Sequence, residues 1–177
     1  DLYVVNAASN DISVINVANS QLRAHIEVGG FPVGIAQGLD GGFIYIDNAV
    51  DGSVSVIDAE SLSEISRTVV TQLPFDDNVK QGLKLFHSSD DTRMAKDQWI
   101  SCATCHFDGG SDNQTWHFPD GLRNTPSLIT TSLTGPFHWS GNLDEVQDVE
   151  NTIRELQGGT GLVSGEDNCT RLNSSHV

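Results

Sequence analysis

Several residue types are scarce in this chain, and each shortage narrows the kind of protein it can be. Its 177 residues include 9 Lys and Arg against 24 Asp and Glu, a formal net charge of -15. This excess of negative charge argues against nucleic-acid binding, because the phosphates of DNA or RNA would be repelled. The sequence contains no apolar run of about 18 residues, so it predicts no membrane-spanning helix.

Cysteine and methionine are also scarce, with three and one present, and two of the cysteines share one motif. Residues 102–106 read Cys-Ala-Thr-Cys-His. C-x-x-C-H is the spacing at which two thiols bond to the vinyl groups of one haem while the His binds the iron. We therefore predict that Cys102 and Cys105 attach haem c and that His106 is the iron ligand. Cys169 then has no cysteine partner, which excludes a disulfide framework.

Three other interpretations of C-x-x-C compete with haem attachment: a redox disulfide, half of a zinc site, and chance. A redox pair would follow a βαβ pattern, and none precedes the motif. A zinc site would need two further ligands at short spacing, and the sequence has no second C-x-x-C and no H-x₃-H. The His directly after the second Cys favours haem over all three.

The first 70 residues contain an internal repeat with a period of 42 residues. Apolar and polar residues alternate within it as in half-buried strands, and turns are marked by pairs such as Asp51-Gly52. A period of about 40–45 residues is typical of one four-stranded propeller blade. The equivalent pairs are Tyr3 and Tyr45, Asn6 and Asn48, Val14 and Val56, and Ile15 and Ile57.

These repeats resemble YVTN-type β-propeller repeats, beginning with Tyr3-Val4-Val5-Asn6. We expect a partial all-β propeller of about two blades over residues 1–72. Two blades cannot close a ring, so we interpret the chain as an internal piece of a longer protein. A propeller can be a docking surface or a scaffold, and the lack of clustered ligand-like residues favours the scaffold.

A different pattern begins near residue 73. Pro74 cannot continue a central strand, and Asp76 or Asp77 can cap a helix whose apolar residues share one face over 79–86. We predict a mostly α-helical, cytochrome c-like haem domain over residues 73–177, truncated at its C-terminus.

The motifs of this second half follow one another in a characteristic order. G-x-x-L-F begins at Gly82, C-x-x-C-H at Cys102, R-N-x-P-S-L at Arg123, and F-x-W-x-G at Phe137. This succession resembles the haem domain of the bacterial dihaem cytochrome c peroxidase and MauG-like family over about residues 74–160. The resemblance implies a peroxidatic haem and a second c-type haem in a further domain.

The same resemblance implies roles for two residues after the haem motif. The family's motif Trp, which matches Trp139, lies on the electron route between the haems. The family's distal proton shuttle is a Glu that follows this motif, and Glu150 is our candidate among several acids. The sequence departs from the family at Ser140 and Asn142, where an acidic residue and an Arg are common, and this weakens the case for peroxidase activity.

Three other residues are considered as haem neighbours or ligands. Arg123 is predicted to pair with a haem propionate, since a guanidinium fits carboxylate geometry. His117, expected on a loop, could cap the distal side of the haem, bond a propionate, or only pack. Met94 lies eight residues before Cys102, an unsuitable place for a sixth ligand, so a high-potential His/Met site is not supported.

The sequence therefore predicts an extracytoplasmic, periplasmic c-type haem protein that transfers electrons and reduces peroxide, or oxidises a partner protein by MauG-like chemistry. The alternative is a non-catalytic electron-transfer cytochrome c module fused to a propeller scaffold. The acidic surface suits a small basic cytochrome or a cupredoxin, or serves only solubility. A second haem and calcium are conceivable in the longer protein, although the run at 108–113 lacks spaced calcium ligands.

Overall fold

A computed structural model describes residues 1–118 and 121–163 of the chain. Cys169 lies outside these residues. The chain divides into two compact units, Asp1–Asp90 and Asp91–Val177. The helix that follows the predicted domain boundary at residue 72 belongs to the first of these units.

The first unit contains two antiparallel sheets in which consecutive strands are neighbours. The strands are β1 Leu2–Asn6, β2 Asp11–Asn16, β3 Gln21–Glu27, β4 Pro32–Gln37, β5 Phe43–Asn48, β6 Ser53–Asp58 and β7 Ser63–Val69. The first sheet has the order β1-β2-β3 and the second the order β4-β5-β6-β7. The prediction of an all-β first part is confirmed at the level of antiparallel sheets, but the described residues form no closed ring or barrel.

The 42-residue repeat is visible in the strand pairing. The register between β2 and β3 shifts between Val14 and Ile15, and the register between β6 and β7 shifts between Val56 and Ile57. These irregularities occupy equivalent positions of the repeat. Bulges of this kind increase local twist, so both sheets bend at the same place.

A single apolar cluster lies at the centre of this unit. Alternation along the strands directs every second side chain to the same face, and these faces supply isoleucines and valines that are almost fully buried. The cluster consists of Ile12, Val14, Ile26, Val28, Ile44, Ile46 and Ile57.

The repeated asparagine marks the same corner of each sheet. Asn48 is fully buried, and its amide donates hydrogen bonds to the hydroxyls of Ser53 and Ser55 at 3.1 and 2.9 Å. Asn6 likewise donates to Asp11 and Ser13, at 2.6 and 2.8 Å. The repeat therefore preserves a polar contact that links each strand end to the next strand across the turn, so the repeated asparagine has a structural role.

Helix α1, Asp77–His87, follows the second sheet. Asp76 is its N-cap, and the Asp76 carboxylate accepts a hydrogen bond from the Val79 backbone N–H at 2.9 Å. The predicted helix over 79–86 is confirmed and is longer at its start. His87 ends the helix and lies with its ring centroid 4.1 Å from that of Phe31.

The second unit has less helix than we predicted. Its described residues contain the single turn α2 Cys102–Cys105, the paired strands β8 Thr115–Phe118 and β9 Gly121–Asn124, and the short helix α3 Val149–Glu155. The described part therefore contains a few short helices together with a two-stranded sheet, and the prediction of a mostly α-helical domain is confirmed only in part. The local reason is turn chemistry, because residues between these elements adopt positive φ angles that interrupt any helix.

Among the described residues of this unit, few apolar side chains are buried. They are Met94, Ala95, Ala103, Leu143 and Ile153. Many larger apolar side chains are exposed. They include Phe107, Trp116, Leu122, Ile129, Leu133 and Trp139.

In the part of the chain that the structure describes, no helix has the length and apolar character needed to cross a membrane.

Candidate functional site

The two motif cysteines lie on one turn of helix. Ser101 caps α2, with its side chain and that of Thr104 forming a reciprocal capping box. Residues three apart on a helix are neighbours, so Cys102 and Cys105 share one side of the turn. Both are free thiols. This arrangement presents two sulfur atoms to one ligand.

The pKa values of both thiols are raised. Burial is the main cause for Cys102 and also for Cys105, where the negative charge of Asp112 adds to it. A reactive redox C-x-x-C has the opposite property, a lowered pKa that yields thiolate. The environment of Cys102 and Cys105 therefore argues against the redox-disulfide interpretation.

His106 follows the turn directly, and its ring orientation is set by the backbone. The His106 N–H donates to the Cys102 carbonyl at 2.9 Å, which closes the turn. Its imidazole Nδ1 lies 3.0 Å from the Pro126 carbonyl oxygen. Because a carbonyl only accepts, Nδ1 carries the proton in this contact, and Nε2 keeps its lone pair. Fixing a ring in this way prepares the other nitrogen for a metal.

The loop that holds Pro126 is tied to the haem motif a second time. The Leu128 N–H donates to the Gly109 carbonyl at 2.8 Å, and the Gly109 N–H donates to the His106 carbonyl at 2.9 Å. The R-N-x-P-S-L motif thus supports the C-x-x-C-H motif from 20 residues away. No pattern in the sequence alone pairs the Pro126 carbonyl with His106.

No group of three or more His, Cys, Asp or Glu side chains that could hold a metal ion occurs among the described residues. A zinc site built from the C-x-x-C pair therefore lacks further ligands there. The acidic run at 108–113 likewise provides no calcium cluster.

The residues present fit a covalently bound haem c. Two neighbouring thiols can form the thioether bonds, and the Nε2 lone pair of His106 can bind the iron. The exposed apolar side chains of this unit, including Phe107 and Leu122, would be covered by an apolar macrocycle.

His117 and Arg123 lie on opposite faces of one two-stranded sheet. His117 is on β8 and not on a loop as predicted, opposite Leu122, while Arg123 on β9 is opposite Trp116. Residues directly opposite each other share a face, and successive residues alternate. One face of this sheet therefore cannot present both His117 and Arg123. The Arg123 guanidinium donates to the Leu122 carbonyl at 2.8 Å.

Trp139 is held beside the loop that supports His106. Its indole N–H donates to the Asn124 carbonyl, and the side chain is 60% exposed. Asn124 stands two residues before Pro126, so Trp139 and His106 both bond to this segment. The preceding His138 adopts a positive φ of 66°.

Glu150 lies on α3 and is almost fully buried. Its carboxylate accepts hydrogen bonds from the Arg154 guanidinium at 2.8 Å and from the Leu162 N–H at 3.0 Å. Burial opposes its ionisation, but the hydrogen bonds from Leu162 and Arg154 outweigh it and lower the pKa. Both oxygens are thus engaged, which favours a structural role over that of a proton shuttle.

Comparison with known proteins supports the interpretation of these residues as a haem c site. Residues 76–168 match the family of di-haem cytochrome c peroxidases. The chain belongs to this family, and its membership implies a covalently bound haem c. The family resemblance expected from the sequence is confirmed for the haem half. This match does not confirm the propeller repeat.

Two relatives cover parts of the chain. A cytochrome-c peroxidase of Denitromonas iodatirespirans, IdrP2, is 33% identical over 86 residues, which are 45% of this chain and 22% of that protein. The hydrazine synthase of Kuenenia stuttgartiensis is 26% identical over 41% of this chain and 20% of its own, with a TM-score of 0.38. The chain thus spans about a fifth of the length of each.

Proposed function

We propose that this chain binds haem c through Cys102 and Cys105, with His106 as the iron ligand, and reduces peroxide with electrons from a partner protein. The observation that carries the proposal is the His106 imidazole, whose Nδ1 is held 3.0 Å from the Pro126 carbonyl directly after two neighbouring thiols. Family membership over residues 76–168 supports the reaction class.

The chain's own residues would have distinct tasks. When bound, haem supplies electron transfer and a position at which peroxide can bind. The Pro126 carbonyl keeps the His106 ring in one tautomer and one orientation. Arg123 or His117, on opposite faces of the β8–β9 sheet, would pair with a propionate, and the choice depends on which face meets the haem.

Trp139 is our proposed electron-route residue. The family resemblance implies a position between two haems, and the Trp139 indole bonds to the same segment as His106. Glu150 stays a prediction as the proton shuttle, with contacts that favour a structural role.

The protein would work outside the cytoplasm, in the periplasm, where haem is attached to C-x-x-C-H. The net charge of -15 favours a small basic cytochrome or a cupredoxin as the electron donor. The four-stranded sheet β4–β7 and the 42-residue repeat support a propeller scaffold in the first unit. A second haem would belong to a further domain.

An absorption spectrum of the haem-loaded, reduced chain with and without carbon monoxide tests the proposal first. We expect a shift on adding carbon monoxide, because peroxide chemistry needs an accessible iron position. The same sample should then oxidise a reduced basic cytochrome only when hydrogen peroxide is added. His106→Ala should abolish this turnover, and His25→Ala, in the first unit, should leave it unchanged.

An unchanged low-spin spectrum and no peroxide-dependent turnover would contradict peroxide reduction. That result would point to the non-catalytic electron-transfer module, in which both axial positions are filled. The absence of any haem spectrum would contradict haem attachment itself.

A further inference from the structure

The second unit contains three tryptophans whose indole environments differ. Trp116 is the least exposed, at 41%, against 58% for Trp99 and 60% for Trp139. The Trp116 indole N–H donates to the Asp112 carboxylate at 2.8 Å. The Trp139 indole donates to a backbone carbonyl, which carries no net charge.

Asp112 is itself held rigidly beside the haem motif. Its backbone N–H donates to the Cys105 carbonyl at 3.0 Å, and its carboxylate accepts the Gln114 N–H at 3.0 Å. The Thr125 side chain provides a further hydrogen bond to the carboxylate. One residue therefore links the Trp116 ring to the cysteine that would carry the haem.

The Asp112 carboxylate is negatively charged at neutral pH. Desolvation opposes its ionisation, but the hydrogen bonds from Gln114, Thr125 and Trp116 outweigh it and lower the pKa. An anion in direct contact with an indole N–H stabilises positive charge on the ring. Trp116 is thus the tryptophan of this unit whose one-electron oxidation the structure favours.

We propose that Trp116 is an electron-relay residue of the peroxide reaction and that Asp112 is the positioning residue that makes its indole oxidisable. This inference rests on the proposed function, which supplies hydrogen peroxide as the oxidant. Arg123, the cross-strand neighbour of Trp116, directs its guanidinium to the Leu122 carbonyl.

The electron balance is simple. Reduction of one hydrogen peroxide to two waters consumes two electrons and two protons, the protons coming from solvent. The Trp116 indole supplies one of these electrons, and the haem, when bound, would supply the other. The indole is left as a radical cation whose N–H stays hydrogen-bonded to Asp112. A reduced partner protein returns two electrons, one to the indole and one to the haem.

The test locates the radical. The haem-loaded chain is mixed with hydrogen peroxide and a nitroso spin trap without any reduced partner, then digested and mapped by mass spectrometry. We expect the trap on the Trp116 peptide and a matching electron paramagnetic resonance signal. Trp116→Phe should remove both, and Trp99→Phe, the matched tryptophan control, should leave both unchanged.

Substitutions at Asp112 distinguish the effect of its negative charge from the effect of its side-chain packing. Asp112→Asn should lower the yield of trapped Trp116 radical by about tenfold, since the neutral amide gives up the charge-assisted hydrogen bond. Asp112→Glu keeps the charge and should restore most of the yield. Equal losses in both variants would mean that Asp112 acts only through local structure, which would overturn its role.

Two results overturn the proposal in distinguishable ways. If peroxide changes the haem absorption but the trap is found on Trp139 in every variant, Trp116 is not the relay while the proposed function stands. If peroxide leaves the haem absorption unchanged in the wild type, the proposed function fails and this inference fails with it.

Discussion

Single residues in the second unit are positioned by backbone groups distant in sequence. The Pro126 carbonyl orients the His106 ring, and the Asn124 carbonyl holds the Trp139 indole. Main-chain partners do not vary with side-chain identity, so these contacts are specified by the path of the loop. A substitution that shifts this loop would therefore disturb both His106 and Trp139.

Glu150 is the residue for which the structure and the family resemblance suggest different roles. We expect Glu150→Gln to lower the free energy of unfolding by about 1 to 3 kcal/mol at neutral pH, because it weakens charge-assisted hydrogen bonds in a buried site. Chemical denaturation monitored by tryptophan fluorescence measures this, since all three tryptophans lie in the second unit.

The pH dependence of this loss has a defined sign. Folding lowers the pKa of Glu150, so its contribution is complete above the unfolded pKa of about 4.3 and is lost as pH falls through the folded value. The difference between Glu150→Gln and the wild type should therefore vanish at acidic pH. Asp144→Asn, at an exposed acid in the same unit, should change stability by less than about 0.5 kcal/mol. A variant of Glu150 that is stable but slow with peroxide would support the proton-shuttle role.

At the scale of elements, short helices depend on their caps. Helix α1 contains eleven residues and begins after Asp76, whose carboxylate receives the Val79 N–H. An isolated helix of this length is marginal in water, so its N-cap and its packing decide whether it forms. Both Asp76 and Asp77 were candidates for the cap from sequence, and the structure selects Asp76.

Substitution of these two aspartates tests that selection. Asp76→Ala should destabilise the first unit by about 1 kcal/mol, the usual value of a lost N-cap. Asp77→Ala should cost less than about 0.5 kcal/mol, because the fully exposed Asp77 carboxylate lies 3.5 Å from the Lys80 ammonium, and exposed ion pairs of this kind contribute little. Urea denaturation followed by far-ultraviolet circular dichroism gives both values. Equal effects would show that the cap is not specific to Asp76.

At the scale of the whole molecule, charge is the dominant feature. The net charge of -15 produces a field that attracts cations from a distance, and salt shortens its reach from about 30 Å at 0.01 M to about 8 Å at 0.15 M. The field acts on charged partners and not on a neutral molecule such as hydrogen peroxide.

We therefore expect the rate constant for electron transfer from a reduced basic cytochrome to fall by about tenfold or more over this range of salt. Stopped-flow absorption of the haem-loaded chain measures this rate. The reaction with hydrogen peroxide provides the matched control and should be independent of salt. A cytochrome reaction without salt dependence would contradict electrostatic attraction of the partner.

Local patterns predicted those parts of the molecule that depend on neighbouring residues. Strand alternation and a 42-residue period indicated the antiparallel sheets, with equivalent polar corners at Asn6 and Asn48. The spacing of Cys102, Cys105 and His106 predicted the donor set, which a single helical turn brings together. Each of these features needs only contacts within a few residues or a repeated unit.

The features that were missed depend on contacts across longer separations. Strands β8 and β9 were unexpected because the segment between 115 and 124 is too short and polar for a clear period. The bond between His106 and Pro126 joins residues that are 20 apart in sequence, on either side of strands β8 and β9.

The sequence by itself determined that two thiols and an imidazole lie close together and that the first unit is built from repeated strands, because local spacing dictates both. Only the tertiary structure decided which carbonyl orients His106, which tryptophan meets a carboxylate, and that Glu150 is buried in an ion pair. Those outcomes depend on how the loop at 124–128 and helix α3 pack, and no local pattern encodes that packing.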